Sequence, residues 1–336
     1  MYSPSTPSTK SISSIVLNQN SIGISSLESF RLTLATSKTL RDLQLPAQST
    51  VDVEVVLVTQ CSFGRLKKME AQLSCWTGKA SIAIYLKPGE DRSKAERAIM
   101  TSIENARNCA EKKQSGRYDT FDVAVTIVEG CMDDEPYRIN YLRNVALLET
   151  RRQHLRFNSS LDKLAVLLVD VDYRSSNNLY DTVHSGSAVE SILKQRRVIV
   201  CPAFESTNDN HAQTVTSLRV LVEARQAEGF HISHFPQGHT PTQFDKFWKK
   251  SLECDGKPPD EYWEKSYKIQ YEKLFEPYII MVSADVPLYD ERFQGYGLNK
   301  VSHLATVAAH KGEQFFVLPG VFLLASAHGR SKFMVQ

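Results

Sequence analysis

The chain has 336 residues, enough to bury a large core as one big α/β domain or two smaller ones. Lysine plus arginine number 40 against 38 for aspartate plus glutamate, so no cationic field of the kind that attracts a polyanion is present and no nucleic-acid partner is expected. The six cysteines form no C-x-x-C pair, which argues against a zinc knuckle or thioredoxin motif; Cys61 and Cys201 adjoin apolar runs and read as buried thiols.

Residues 1–48 are rich in Ser and Thr with weak apolar periodicity, and read as a lead-in to a domain covering 49–336. The first residues lack the basic start and apolar stretch of a signal peptide. No apolar run approaches the roughly 20 residues that span a bilayer, so no membrane segment is expected in this chain.

From Val51 the pattern alternates. VDVEVVLVTQC predicts a strand, FGRLKKMEAQLSCW a helix and ASIAIYL a second strand. Lys94 to Lys113 is a charged helical stretch, FDVAVTIVEG a third strand, and INYLRNVALLETRR a helix with apolar residues at helical spacing. The core of LDKLAVLLVDVDY is continuously apolar, as suits a central strand covered on both faces, and it stops at Asp170. Downstream, RRVIVCPAFE predicts a strand, Thr214 to Ala227 a helix, His231 to about Tyr271 a loop-rich section, EPYIIM a strand, YDERFQGYGLNKVSHLATVAAH a loop and helix, and QFFVLPGVFLLA a last strand. The fold class is α/β: a doubly wound, mixed but mainly parallel sheet flanked by helices in a single large domain. Its ligand site is expected beyond the carboxyl ends of the strands.

Asp170-Val171-Asp172 falls at such a strand end. A backbone that turns there lets both carboxylates converge on one cation, and an oxygen-rich set of this kind suits Mn²⁺ or Mg²⁺. Taken alone the triplet is a weak signal, because acids often end strands as turn residues. A phosphohydrolase would need more acids, and the other early strand ends offer Gln60, Leu86 and Gly130.

Several ordered segments together resemble glycosyltransferase family 49: VVLVTQCSFGRL, WTGKASIAIYL, YRINYLRNVAL, LLVDVDY, VIVCPAFE, GHTPTQFDKFW, FEPYIIM, YDERFQGYGLNKVSHL and FVLPGVFLLASAH, running from about residue 53 to 328. The resemblance implies a GT-A fold and an inverting transfer from a UDP-sugar donor, usually UDP-glucuronic acid, to a glycan acceptor. It also implies Mn²⁺ and the Golgi lumen. Asp170 and Asp172 would be the metal-binding acids. Gln60, Arg143 and Asn144 would lie near the nucleotide, and His239 near the sugar. Asn299 or Lys300 stands where many GT-A enzymes carry an acid, and Lys300 would meet a donor carboxylate or phosphate. Asp290 is expected as the base, with Glu291 and Glu276 behind it. The sequence departs from the family pattern at Ala325, where related chains have a metal-binding histidine. His328, three positions on, is the candidate replacement, and if it is no ligand the chain reads as an impaired, sugar-binding homologue.

Overall fold

In this computed structural model the described residues are 54–113, 121–131, 136–158, 160–208, 211–293, 297–311 and 314–326, with the backbone of 27–32. In chain order the elements are β1 (Leu27–Leu32), β2 (Glu54–Ser62), α1 (Leu66–Leu73), β3 (Ala80–Leu86), α2 (Arg92–Lys113), β4 (Val123–Glu129), α3 (Ile139–Leu155), β5 (Leu164–Leu168) and β6 (Tyr173–Ser175). There follow α4 (Leu179–Val183), α5 (Gly186–Ala188), β7 (Val198–Cys201), β8 (Ala203–Ser206), α6 (Val215–Glu223), β9 (Ala227–Gly229), α7 (Phe244–Cys254), α8 (Pro259–Glu264), β10 (Tyr267–Lys268), β11 (Tyr278–Val282), α9 (Asn299–Lys311), β12 (Phe315–Val317) and β13 (Leu323–Ala325).

The main sheet has the order β1-β4-β3-β2-β5-β11-β7-β12-β10. Strands β2 to β5 run parallel, β11 enters antiparallel between β5 and β7, and β12 lies parallel to β7. This is the mixed, mainly parallel α/β sheet that the alternating pattern predicts, and it is consistent with a GT-A fold. One addition comes from the lead-in, where β1 pairs antiparallel with β4 along the sheet edge.

Successive residues of a strand face opposite sides, and this divides the core. Val55, Leu57, Ala165 and Leu167 pack into one layer with α1 and α2; Val56, Val58, Val166 and Leu168 pack into the other with α3 and α9. Each layer excludes water from one face, which is why the strand runs are apolar throughout rather than alternating. Cys61 and Cys201 are buried free thiols, as expected, and burial pushes each up to about 12.

A second sheet, β6-β13-β8-β9, continues three strands of the first. The segments RRVIVCPAFE and QFFVLPGVFLLA, each expected as one strand, are each two. Pro202 separates β7 from β8, since proline has no N–H for a ladder. Between β12 and β13 the chain turns at Gly320, whose φ of +78° suits a residue without a side chain. The halves stay together: β12 lies beside β7 in the first sheet, and β13 beside β8 in the second. The third crossing, from β5 to β6, is made by residues 169–172, so the two aspartates sit where one sheet hands over to the other.

The helix expected over Thr214 to Ala227 ends at Glu223, because Arg225 is left-handed at φ +56° and Ala227 begins β9. The section expected to be loop-rich carries α7 and α8. There Trp263 is buried and donates to Thr182 O, while Trp248 packs on Phe204 and Phe247, so both tryptophans anchor this region. No helix among the described residues is long and apolar enough to cross a membrane.

Candidate active site

Asp170 lies two residues past the end of β5, and its side chain meets groups from three other elements. Arg143 of α3 donates through Nη2 to Asp170 Oδ1 at 2.7 Å, and Tyr278 at the start of β11 donates through Oη to Oδ2 at 2.9 Å. Lys300, in the first turn of α9, adds a third positive or polar neighbour. Burial by itself would raise the carboxyl. The Arg143 and Lys300 charges, with the two hydrogen bonds, outweigh it and hold Asp170 at about 2. Asp170 is therefore ionised at neutral pH. Behind it, Gln72 of α1 donates to the carbonyls of Asp170 and Tyr173 at 2.9 and 3.0 Å, which fixes the turn between the sheets.

Asp172 has a different partner. Its Oδ1 pairs with Nη2 of Arg65, which follows β2 and is 43% exposed, whereas the Arg143 side chain is 10% exposed. Each acid of the pair is thus matched by its own arginine, one buried and one open to solvent.

Arg143 is held in place by more than charge. Its Nη1 donates to Asn140 Oδ1 at 3.1 Å and to Asn299 Oδ1 at 3.4 Å, and its guanidinium lies 5.0 Å from the Tyr289 ring centroid. The Tyr289 ring in turn stacks on His303, with centroids 3.7 Å apart, and His303 Nε2 lies 3.0 Å from Pro287 O. Asn144, one residue on from Arg143, exchanges hydrogen bonds with the Tyr289 backbone (2.9 and 2.8 Å) and donates to Glu291 Oε1 at 2.8 Å. So α3 carries the site from below: Arg143 reaches the D-x-D turn and Asn144 clamps the 289–291 segment beside it. A small cavity at this corner is lined by Thr59, Arg143, Asp170, Tyr278, Tyr289 and Lys300.

Of the residues singled out in the sequence, Asp170, Arg143, Asn299 and Lys300 come together around one corner. Asn144 supports it from behind. Gln60 is buried in β2 and accepts a hydrogen bond from the Tyr137 hydroxyl. His239 is buried beside Phe230, in a turn that precedes α7. Asp290 is tied to the exposed Arg292, whose side-chain and backbone hydrogen bonds hold its carboxyl at about 2. His328 lies outside the described residues. Arg65 and Tyr278 were missed. Tyr278 becomes visible only once β11 is known to pair antiparallel with β5, because the Ile279–Leu168 register sets it beside the end of that strand.

Carboxylate oxygens are the hard ligands a divalent cation takes, but here each acid of the pair is already matched by an arginine, Asp170 by Arg143 and Asp172 by Arg65. Among the described residues no group of three or more His, Cys, Asp or Glu is arranged to hold a metal ion by itself.

The family profile described as "Glycosyl-transferase for dystroglycan" matches residues 54–128 and 104–329. The chain belongs to this family. It is 29% identical over 284 residues to the xylosyl- and glucuronyltransferase LARGE2 of Rattus norvegicus, covering 83% of this chain and 35% of that protein. To the human LARGE2 it is 29% identical over 283 residues, and to the human LARGE1 26% over 288. The chain spans about a third of the length of these relatives, between 32% and 35%. Within this family the matched region takes in β2 to β13, and with them both aspartates, α3 and the start of α9.

Proposed function

We propose that this glycosyltransferase transfers a sugar, glucuronic acid in the first instance, from a UDP-sugar to a glycan acceptor with inversion, and that residues 49–336 form its catalytic unit. The observation that carries the reading is the ionised Asp170 at the sheet crossing, flanked by Arg143 and Lys300. The family supplies the reaction class. Asp170 and Asp172 would hold Mn²⁺, or Mg²⁺, against the donor diphosphate, and the bound ion would supply positive charge as the nucleotide leaves.

The chain's own residues have separate tasks. Arg143 fixes Asp170 in its charged form and orients it through Asn140. Arg65 occupies Asp172 until the donor arrives and then faces the diphosphate, a group its planar guanidinium matches well. Gln60, near the end of β2, would read the nucleotide, and Asn144 holds Tyr289 and Glu291 in position. Proton removal from the acceptor falls to Asp290, which must exchange Arg292 for the incoming hydroxyl. Relatives carry both xylosyl and glucuronyl activity in their names, so UDP-xylose belongs in any donor panel. The resemblance also supports the Golgi lumen as the place of action.

The test is UDP release from UDP-glucuronic acid and UDP-xylose with Mn²⁺, in wild type, Asp170→Asn and Asp172→Asn. The reading expects loss of release in both variants with folding retained; full activity in either variant defeats the metal assignment. A second reading, a sugar-binding or scaffolding homologue without turnover, is favoured by Ala325, a buried alanine of β13 where the resemblance implies a metal-binding histidine. That version predicts UDP-sugar binding with no release.

A further inference from the structure

The two ends of α3 have different surroundings. Its N-terminal half brings Arg143 and Asn144 to the Asp170 corner. Its last residue, Leu155, lies about 18 Å from Arg143 along the helix axis, at 1.5 Å of rise per residue. At that far end apolar side chains face solvent: Phe157 is 79% exposed, Leu155 48% and Leu148 37%. Leu148 and Leu155 stand two helical turns apart and share one stripe of α3. Phe157 follows in the tight turn that closes the helix, where its amide donates to His154 O at 3.1 Å.

The charges around this stripe are uneven. The neighbouring acids are already matched, Glu149 by Arg152 at 2.5 Å, Glu54 by His154 at 2.7 Å and Asp162 by Arg196 at 2.7 Å. Arg156 and Lys163 are exposed, and neither has an ion-pair partner among the described residues. An exposed phenyl ring gains from leaving water, whereas a guanidinium or an ammonium gains from meeting an anion. A surface with hydrocarbon beneath a layer of negative charge satisfies both at once. Long cationic side chains keep their heads at such a layer while adjacent Phe and Leu side chains reach the acyl boundary. No helix among the described residues can span a bilayer, so a contact of this kind is peripheral and reversible.

We propose that the C-terminal end of α3, through Leu155, Arg156, Phe157 and Lys163, is a docking surface for an anionic membrane. The inference stands apart from the glycosyltransferase reading and does not need it. Its consequence for the molecule is orientation: α3 seated by this end holds its other end, and with it the Asp170 corner, away from the lipid and open to solvent.

The experiment is co-sedimentation of the full chain with vesicles of phosphatidylcholine alone and of phosphatidylcholine with about one-third phosphatidylserine. Wild type should bind the serine-containing vesicles at least about tenfold more tightly, and added salt should narrow the difference. Arg156→Gln and Lys163→Gln should each weaken that binding by about fivefold, and Phe157→Ser by about tenfold. Leu155→Gln repeats the apolar test if Phe157→Ser does not fold. Arg97→Gln, which removes an exposed cation of α2 on the opposite face of the sheet, should change nothing. A wild type that ignores both vesicles overturns the proposal, and a dimer that Phe157→Ser dissolves would then assign this face to a second copy of the chain. Equal weakening by Arg97→Gln and Arg156→Gln overturns it too, because overall charge would then be the attraction. So does binding that keeps its full strength in both apolar variants.

Discussion

Arg143 on α3 and Asp170 at the end of β5 make a 2.7 Å ion pair in which the arginine side chain is 10% exposed and the aspartate 24%. The pair joins a helix of one core layer to the strand end where the two sheets meet. Its energetic weight lies in what happens when one partner is lost, since a buried charge without its counterion is costly even where the intact pair contributes little net stability.

Arg143→Met should therefore destabilise the protein by about 2–4 kcal/mol, at the lower end of a broken buried pair because Asp170 is partly solvated. Adding Asp170→Asn to it should restore part of the loss. Urea denaturation of the two single variants and the double variant measures this, and strictly additive losses would refute the coupling. The pH profile carries the same information. Asp170 is depressed to about 2 from an ordinary 3.8, so its contribution is complete above about pH 4 and disappears as pH falls toward 2.

Two buried imidazoles act at milder acidity. Burial lowers His303 to about 4 and pushes His239 well below its usual value, with the Lys300 charge adding to the effect on His239. Both are neutral in the fold, and both take up a proton on unfolding below about pH 6.5, so the unfolded state binds more protons and stability falls as pH falls. Each histidine should cost up to about 1.4 kcal/mol per pH unit between pH 6 and the folded value. Thermal denaturation between pH 7 and 5 should show this slope, and His303→Phe, which retains a ring to stack on Tyr289, should flatten it. An unchanged slope in that variant would remove His303 from the account.

Gly320 and Gly89 share a φ of +78° and differ in their surroundings. A Cβ on Gly320 would meet Tyr262 Cε2 at 2.6 Å and Cys254 Cβ at 3.1 Å, whereas nothing lies within 4 Å of one on Gly89. Gly89→Ala should cost only the left-handed conformation, about 1 kcal/mol, and Gly320→Ala should cost more than twice that. The comparison of midpoints in denaturant separates backbone strain from steric clash at the turn that sends β12 into β13.

Asn144 makes both hydrogen bonds to the Tyr289 backbone, and the Tyr289 amide donates to its Oδ1 at 2.8 Å. Asn144→Ala should free that amide and lower hydrogen-exchange protection at Tyr289, together with a stability loss of about 1–3 kcal/mol. Protection as high as in wild type would mean the clamp does not hold this segment.

The sequence by itself determined the layered α/β architecture and the position of the acid pair. Continuous apolar runs such as LAVLLV can be satisfied only with both faces covered, and helical spacing in INYLRNVALLETRR identifies a covering element. Asp170 is legible as a candidate from local text, whereas Arg143, Asn299 and Lys300 become candidates only through the resemblance to glycosyltransferase family 49, and neither source says that they meet. The tertiary structure decided that. The antiparallel entry of β11 beside β5 delivers Tyr278 to Asp170, and Pro202 and Gly320 split two expected strands so that all three crossings gather at one junction. It also decided that Asp172 faces Arg65, 107 residues away in sequence, and that Asp290 is matched by the neighbouring Arg292. Periodicity records which face of an element is buried, whereas register between distant strands depends on pairings that no single segment encodes.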